Sequence, residues 1–419
     1  MAYDLGVDLG TTFVAAAVSK ASQVEMVTLG DRSVVTPSVV YLREDGTVVT
    51  GEAAARRAAA GPERVAREFK RRIGDPTPIR LGGTAYPATQ LLSLLLRDVL
   101  AKVTETEGGP PERVVLTHPA NWGEFRRDLF AEVPRSLELT NTHTITEPEA
   151  AAAYYAASRR LGAGEIVAVY DLGGGTFDAT VVRKLADGVE TLGIPEGVER
   201  LGGIDFDQAL FEFVDFASDG ALSGLNAQDP QVALALARVR QDCVLAKEAL
   251  SADTETLLPV FVPGKHFEVP ITREDFEKLV RAQIESTMTS LSRALRSAQV
   301  TADELNAVLL VGGSSRIPLV AQMVSAELNR PILVDTHPKY AVALGAATMA
   351  SLFDVVSVQA SAVPSARSSP ERSSPERTSP ASGIPAPATT AQSKLTVALI
   401  VLVAAIVLTL VVIYLTHLL

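Results

Sequence analysis

Two stretches of this 419-residue chain set a carboxylate beside a glycine–threonine turn. Asp4–Thr12 reads Asp-Leu-Gly-Val-Asp-Leu-Gly-Thr-Thr and carries Asp8, Gly10, Thr11 and Thr12. Val167–Thr176 reads Val-Ala-Val-Tyr-Asp-Leu-Gly-Gly-Gly-Thr and carries Asp171, Gly173, Gly174, Gly175 and Thr176. Glycine tolerates positive φ and lets backbone N–H groups close on a phosphate. Threonine hydroxyls add donors, and the carboxylate beside them suits Mg2+, usually held through water. One such turn ends many strands and means little alone. Two copies, with Asp8 and Asp171 163 residues apart, suggest two similar lobes clamping one nucleotide.

A third turn supports this. Val308–Pro318 runs through Gly312, Gly313, Ser314 and Arg316, a strand followed by a glycine pair and a helix start. That arrangement suits a nucleoside or phosphate near a helix N-terminus. Neither the phosphate-loop pattern ending in Gly-Lys-Ser/Thr nor a dinucleotide-binding Gly-x-Gly-x-x-Gly occurs. The elements that must hold these turns read as α/β. Short apolar strands are predicted at Val114–Thr117, Ile166–Tyr170 and Ala307–Val311. Helical patterns are predicted over Ala53–Phe69, Ala88–Thr104, Val232–Leu250 and Glu274–Ala298.

Composition narrows the function classes. A net charge of −11 gives no basic footprint, so no nucleic-acid partner is expected. The single Cys243 excludes an intrachain disulfide and a cysteine-built zinc site, and the 5 His are scattered singly. A mean hydropathy of +0.20 is high for a chain with 21% charged residues. The excess sits in residues 395–416, which are uncharged and almost wholly Leu, Val, Ile and Ala. As a helix this run would span about 33 Å, matching a bilayer core of about 30 Å, and it is read as a transmembrane helix. No basic leader precedes the first strand, so the expected topology is a C-terminal anchor in the cell membrane with a cytoplasmic head. Residues 353–394 are rich in Ser, Pro and Ala, with a repeated Ser-Ser-Pro-Glu-Arg, and are expected to be a disordered linker. Charge follows the same division, since residues beyond 352 carry a net +1 and the head carries −12.

Taken in order, the motifs resemble the nucleotide-binding domain of the DnaK-type, seventy-kilodalton heat-shock chaperones, in the actin-like ATPase superfamily. The resemblance runs from about residue 4 to about residue 350. Gly6–Thr12 and Asp171–Asp178 resemble the family's two phosphate loops. Thr36–Val40 and Gly51–Ala54 resemble the start of its small subdomain. Lys70-Arg71-Arg72-Ile73-Gly74 resembles its Lys-Arg-x-Ile-Gly motif, and Ile145–Pro148 its connecting helix with an essential Glu. Pro119 and Arg127 resemble the interlobe switch pair, while Leu201–Asp207, with Gly202 and Gly203, Ala246-Lys247 with Ser251, and Gly312–Pro318 complete the set. The resemblance implies an actin-like, ribonuclease H-like bilobed fold over residues 1–352. Lobe one would span about 1–160 and lobe two about 161–352. It implies ATP or ADP with Mg2+ as cofactors. Asp8, Glu147 and Asp171 would surround the metal and its waters, and Asp178 would orient water or a monovalent cation such as K+. Lys70 would place the attacking water and the γ-phosphate. Thr11, Thr12, Gly173, Gly174 and Thr176 would hold the β- and γ-phosphates. Lys247 and Ser251 match positions touching ribose and adenine.

The nucleoside pocket departs from that pattern. Glu248 stands where the family commonly has an adenine-stacking Arg, and Val244 where it has a Glu. Lys339 replaces the usual Asp after Pro338, and Phe13 a more polar residue. Arg316 remains as the other candidate to stack on the base. Losing a stacking cation weakens binding by about 1–2 kcal/mol. Beyond residue 352 the resemblance ends, and no peptide-binding domain is expected. The sequence therefore reads as a membrane-anchored ATPase head of chaperone type. The alternative is a nucleotide-dependent regulatory module with little turnover. Either would act on a protein partner at the cytoplasmic membrane face, with a nucleotide-exchange factor compatible with the cycle.

Overall fold

The structure is a computed structural model that describes residues 2–350, apart from residues 22, 32, 59–60, 159–160 and 335–337. These residues belong to one compact unit. The linker at 353–394 and the apolar run at 395–416 lie outside the described residues. Among the described residues, no helix is long and apolar enough to cross a membrane.

The first lobe opens with β1 (Asp4–Leu9), β2 (Phe13–Lys20), β3 (Gln23–Met26) and the short β4 (Thr36–Pro37). A small sheet follows from β5 (Val40–Leu42), β6 (Val48–Thr50) and β7 (Val65–Ala66), with α1 (Gly51–Arg57) between β6 and β7. Next come the hairpin β8 (Ile79–Leu81) and β9 (Thr84–Tyr86), then α2 (Ala88–Glu107), β10 (Arg113–His118), α3 (Glu124–Arg135) and β11 (Thr142–Thr146). The main sheet is ordered β11-β10-β1-β2-β3, with β4 on β2. Strands β11, β10 and β1 are parallel to one another, and β2 and β3 return antiparallel.

Helix α4 (Glu147–Ala157) leads into the second lobe. This holds β12 (Ile166–Leu172), β13 (Phe177–Leu185), β14 (Gly188–Val198), α5 (Gly203–Ala217) and α6 (Pro230–Leu250). After the hairpin β15 (Glu255–Val262) and β16 (Lys265–Thr272) come α7 (Arg273–Ala298), β17 (Ala307–Val311), α8 (Pro318–Leu328), β18 (Ile332–Val334) and α9 (Ala341–Ala350). Its main sheet is ordered β14-β13-β12-β17-β18. The wiring repeats that of the first sheet, because β12 pairs antiparallel with β13 and parallel with β17 just as β1 does with β2 and β10. Asp8 and Asp171 are therefore topological equivalents, each the next-to-last residue of its central strand.

The apolar pattern explains the layers. β17 is a continuous apolar run, and β10 and β12 carry apolar centres at Val114–Leu116 and Ile166–Val169, as parallel strands covered on both faces require. In the first lobe Leu5, Val7 and Leu9 pack with Leu91, Leu92, Leu95 and Leu96 of α2. In the second, Tyr170, Leu172 and Phe177 pack with Phe206, Val239 and Ile284. A third cluster joins the lobes through α4 and α9, with Ala150, Ala151, Tyr155, Val342 and Ala346. These two helices touch backbone to backbone. A Cβ on Gly345 would stand 1.7 Å from the Ala150 carbonyl oxygen, and one on Gly6 would stand 2.2 Å from the Ala347 nitrogen.

The helix expected over Ala53–Phe69 is a correction. α1 spans only Gly51–Arg57, and the chain then re-enters the small sheet as β7. Pro62 lacks an amide hydrogen to continue a helix, and Val40 and Tyr41 of β5 recruit Ala66 and Val65 as strand partners.

Candidate functional site

The two central strands deliver Asp8 and Asp171 to one cleft of about 830 Å³, which Lys70 and Glu147 also line. Such a volume suits a small-molecule ligand. Lys70 lies in a single 3-10 turn, Phe69–Arg72, entered through Glu68 in the left-handed region. Its ammonium is buried, 2.7 Å from Glu147 Oε1 and 3.8 Å from Asp8 Oδ1. Glu147 is the first residue of α4, whose start is fixed by a capping box between Thr146 and Glu149. Thr117 Oγ1 donates to Asp8 Oδ1 at 3.3 Å. Asp171 and Asp178 are direct cross-strand partners on β12 and β13. Like charges directly opposite one another destabilise a sheet, so this pair is a cost unless a cation offsets it.

The electrostatics point the same way. Burial pushes Asp8 up to about 6, against the pull of Lys70. Burial, with Glu147, Asp178 and Asp8 nearby, holds Asp171 well above the ordinary carboxylate range. Burial first and Glu147 second push Asp178 up to about 8. Burial alone would lower Lys70, but Glu147 and Asp8 outweigh it and hold its pKa above the usual lysine value. Asp178 Oδ1 is buried and finds no hydrogen-bond partner among the described residues. Buried carboxylates outnumber the lysine among them, and such a site fits a divalent cation. Among the described residues no three His, Cys, Asp or Glu side chains form a ready-made ligand cage. A Mg2+ ion here would take one or two carboxylates and keep much of its water.

The glycines form the opposite wall. Gly174 and Gly175 face Thr12 and Thr11 across the cleft, where added Cβ atoms would stand 2.4 Å from Thr12 Oγ1 and 2.5 Å from Thr11 Cγ2. Gly202 packs on this loop, its Cβ position 2.6 Å from the Gly175 nitrogen. Gly203 and Ile204 donate their backbone N–H groups to the carbonyls of Gly173 and Gly174. Gly312 holds φ +82°, and a Cβ there would stand 2.5 Å from Asp171 Oδ1. Ser314 Oγ donates to the Gly173 carbonyl at 2.8 Å, tying the third glycine turn to the second. Lys247 Nζ reaches the Gly203 carbonyl at 2.9 Å and Asp207 Oδ1 at 2.7 Å. Gly10, Thr176, Ser251 and Gly313 also line the cleft.

Gly175, Gly202 and Asp178 pack behind the lining of the cleft, and two candidates lie away from it. Arg316 is exposed and does not line the cleft, whereas its neighbours Ser314 and Ile317 do. Pro119 lines the cleft, but Arg127 is exposed on α3, and Arg126 is the arginine that reaches across to Glu199 of the second lobe. Sequence reading also gave no role to Arg71, which bonds the Gly175 carbonyl and Asp205 Oδ2 in the second lobe. Its signal lay in the Lys70-Arg71-Arg72 run. His118 was missed as well. It is buried and stacked on Trp122, its Nδ1 lies 2.9 Å from the Pro119 carbonyl, and burial lowers its pKa.

A mixed α/β fold with two similarly wired sheets, and a cleft lined by a lysine, buried carboxylates and glycine turns, defines a class of two-lobed α/β protein. The family described as Hsp70 protein matches residues 4–78 and 76–360. The chain belongs to the Hsp70 family, and its fold is consistent with the actin-like ATPase fold of that family. It is 32% identical over 358 residues to the Chaperone protein DnaK of Thermotoga neapolitana, covering 83% of this chain and 59% of that protein. The Chaperone protein DnaK of Thermotoga petrophila and that of Thermotoga maritima match at the same identity and coverage. The chain thus spans about 59% of the length of these relatives.

Proposed function

We propose that this chain is an Mg2+-dependent ATP-binding and ATP-hydrolysing head of Hsp70 type. The observation that carries the reading is Lys70 buried between Glu147 and Asp8 in a cleft that Asp171 also lines, with Asp178 buried opposite Asp171 in the sheet. Thr11, Thr12 and the amides of Gly173–Thr176 would hold the β- and γ-phosphates. Lys247, Ser251 and the Gly312–Ser314 turn would take the nucleoside. Asp8, Asp171, Glu147 and Asp178 would hold Mg2+ and its waters, with K+ a further candidate at Asp178. When bound, Mg2+ would neutralise charge on the phosphate oxygens.

Lys70 would align a water with the γ-phosphorus and offset charge on the equatorial oxygens. The water oxygen would bond to phosphorus as the bond to the ADP oxygen breaks, giving ADP, inorganic phosphate and a proton released to solvent. This needs placement and charge cancellation more than covalent help. Glu147 keeps Lys70 charged and aimed, which its 2.7 Å contact supports. Closure of the lobes on ATP would be read by a protein partner at a membrane surface, with residues 395–416 as the tether and the head in the cytoplasm. A nucleotide-exchange factor fits such a cycle. The altered nucleoside end, with Glu248 and Lys339, favours a second reading, in which nucleotide state is signalled with little turnover.

The binding part of the proposal is tested by calorimetric titration of ADP into the full chain with and without Mg2+. The expected result is micromolar or tighter binding, at least tenfold weaker when Mg2+ is chelated. Equal affinity in both conditions contradicts the role given to the carboxylates.

A further inference from the structure

Phe13, Glu248 and Lys339, three departures from the family pattern far apart in the chain, meet at one point of the cleft. Lys339 sits two residues before α9, and its Nζ lies 4.5 Å from the centre of the Phe13 ring. The same atom lies 3.4 Å from Glu248 Oε1. Phe13 opens β2 in the first lobe and Glu248 lies on α6 in the second, so one ammonium touches both. Its stem lies over the Gly312–Gly313 turn, and a Cβ on Gly313 would stand 2.9 Å from Lys339 Cε, 3.6 Å from Cγ and 3.8 Å from Cδ. Phe13, Glu248, Gly313 and Lys339 all line the cleft.

We infer that Lys339 is the affinity-setting residue of the nucleoside subsite. It is a built-in occupant that covers the glycine floor and bolts the two lobes together until a nucleoside lifts it. The inference rests on the nucleotide reading of the cleft and deepens it. The ring and the carboxylate both hold the ammonium, by a cation–π contact and an ion pair. The aliphatic stem meanwhile fills space a base or ribose needs on Gly313. A nucleotide must break both contacts to seat its nucleoside. A ligand made of phosphates alone, placed at Thr11, Thr12 and the Gly173–Thr176 loop, leaves the bolt in place. The subsite therefore discriminates against the nucleoside part of the ligand.

The test is calorimetric binding of ADP and of inorganic tripolyphosphate, both with Mg2+, to the full chain and to K339A, E248Q and the double variant. Circular dichroism checks that each variant is folded. Lys339 and Glu248 are partly exposed, and E248Q alone suffices if K339A fails to fold. The expected result is ADP binding tightened roughly three- to tenfold by K339A, the size of one such cation–π contact and ion pair combined. E248Q tightens it less, the double variant binds no tighter than K339A, and tripolyphosphate affinity stays within about twofold throughout. Weaker or unchanged ADP binding by K339A overturns the inference, because Lys339 would then grip the nucleotide or ignore it. An equal change for ADP and tripolyphosphate overturns it too, since the effect would be general charge. If neither the wild-type chain nor any variant binds ADP, the nucleotide reading itself fails, which is a distinct result.

Discussion

At the scale of single residues, the cleft is built around charge that the protein alone leaves unbalanced. Asp178 is the clearest case, being 3% exposed and opposite Asp171 in the sheet. Its folded pKa of about 8 lies far above the ordinary carboxylate range. The folded chain therefore keeps the proton in a pH range where the unfolded chain has lost it. The resulting stability is fully present near pH 4 and is lost as pH rises towards 8. Asp178→Asn removes that loss. In metal- and nucleotide-free buffer, thermal unfolding of Asp178→Asn should occur at higher temperature than wild type at pH 8, with the difference shrinking at pH 5.5. A difference that is equal at both values would mean that Asp178 is not strained by its charge. Asp8 and Asp171 stood out by their glycine–threonine turns, whereas Lys70 and Glu147 were candidates only through the family resemblance. The strain was not legible, because it arises from burial of Asp178 near Glu147, which only the fold sets. The same limit applied at α3. Spacing pointed to Arg127, but a one-residue step along a helix turns a side chain by about 100°, and Arg126 is the one that faces the second lobe.

At the scale of elements, the strand–turn units around Asp8 and Asp171 were readable because their signals are local. Buried parallel strands are short apolar runs, and the turns that follow need glycine. The helices α2, α6 and α7 were readable from their apolar period, whereas Ala53–Phe69 was misread. There the alanines carry helical propensity past Arg57, but pairing of Val65 and Ala66 with β5 overrides it. The backbone contact between α4 and α9 was also hidden, since nothing local marks Gly345 as the place where two helices touch. One element rests on sequence alone, namely the uncharged run at 395–416. If it spans a bilayer, the expressed full chain should sediment with membranes and resist extraction by alkaline carbonate. Deleting residues 395–416 should release it to the supernatant. Quantitative extraction of the intact chain by carbonate would refute the tether.

For the whole molecule, the two lobes meet along a line of cross-cleft contacts: Arg71 to Asp205, Arg126 to Glu199, and Lys339 to Phe13 from beside Glu248. Arg71 also bonds the Gly175 carbonyl beside Thr11, and Lys339 lies over Gly313. The repeat of the two glycine–threonine turns foretold two similar sheets, whose central strands are wired alike. That Phe13, Glu248 and Lys339 converge could not be read from the chain, because each looked like an isolated departure. Their convergence bears on nucleoside binding, whereas the proposed hydrolysis rests on Lys70 between Glu147 and Asp8. Single-turnover hydrolysis of Mg·ATP by the full chain, beside Lys70→Ala, decides this most directly. The account predicts measurable hydrolysis by wild type and a loss of at least about 100-fold in Lys70→Ala, with ADP still bound by both. Equal rates for the two proteins would contradict it.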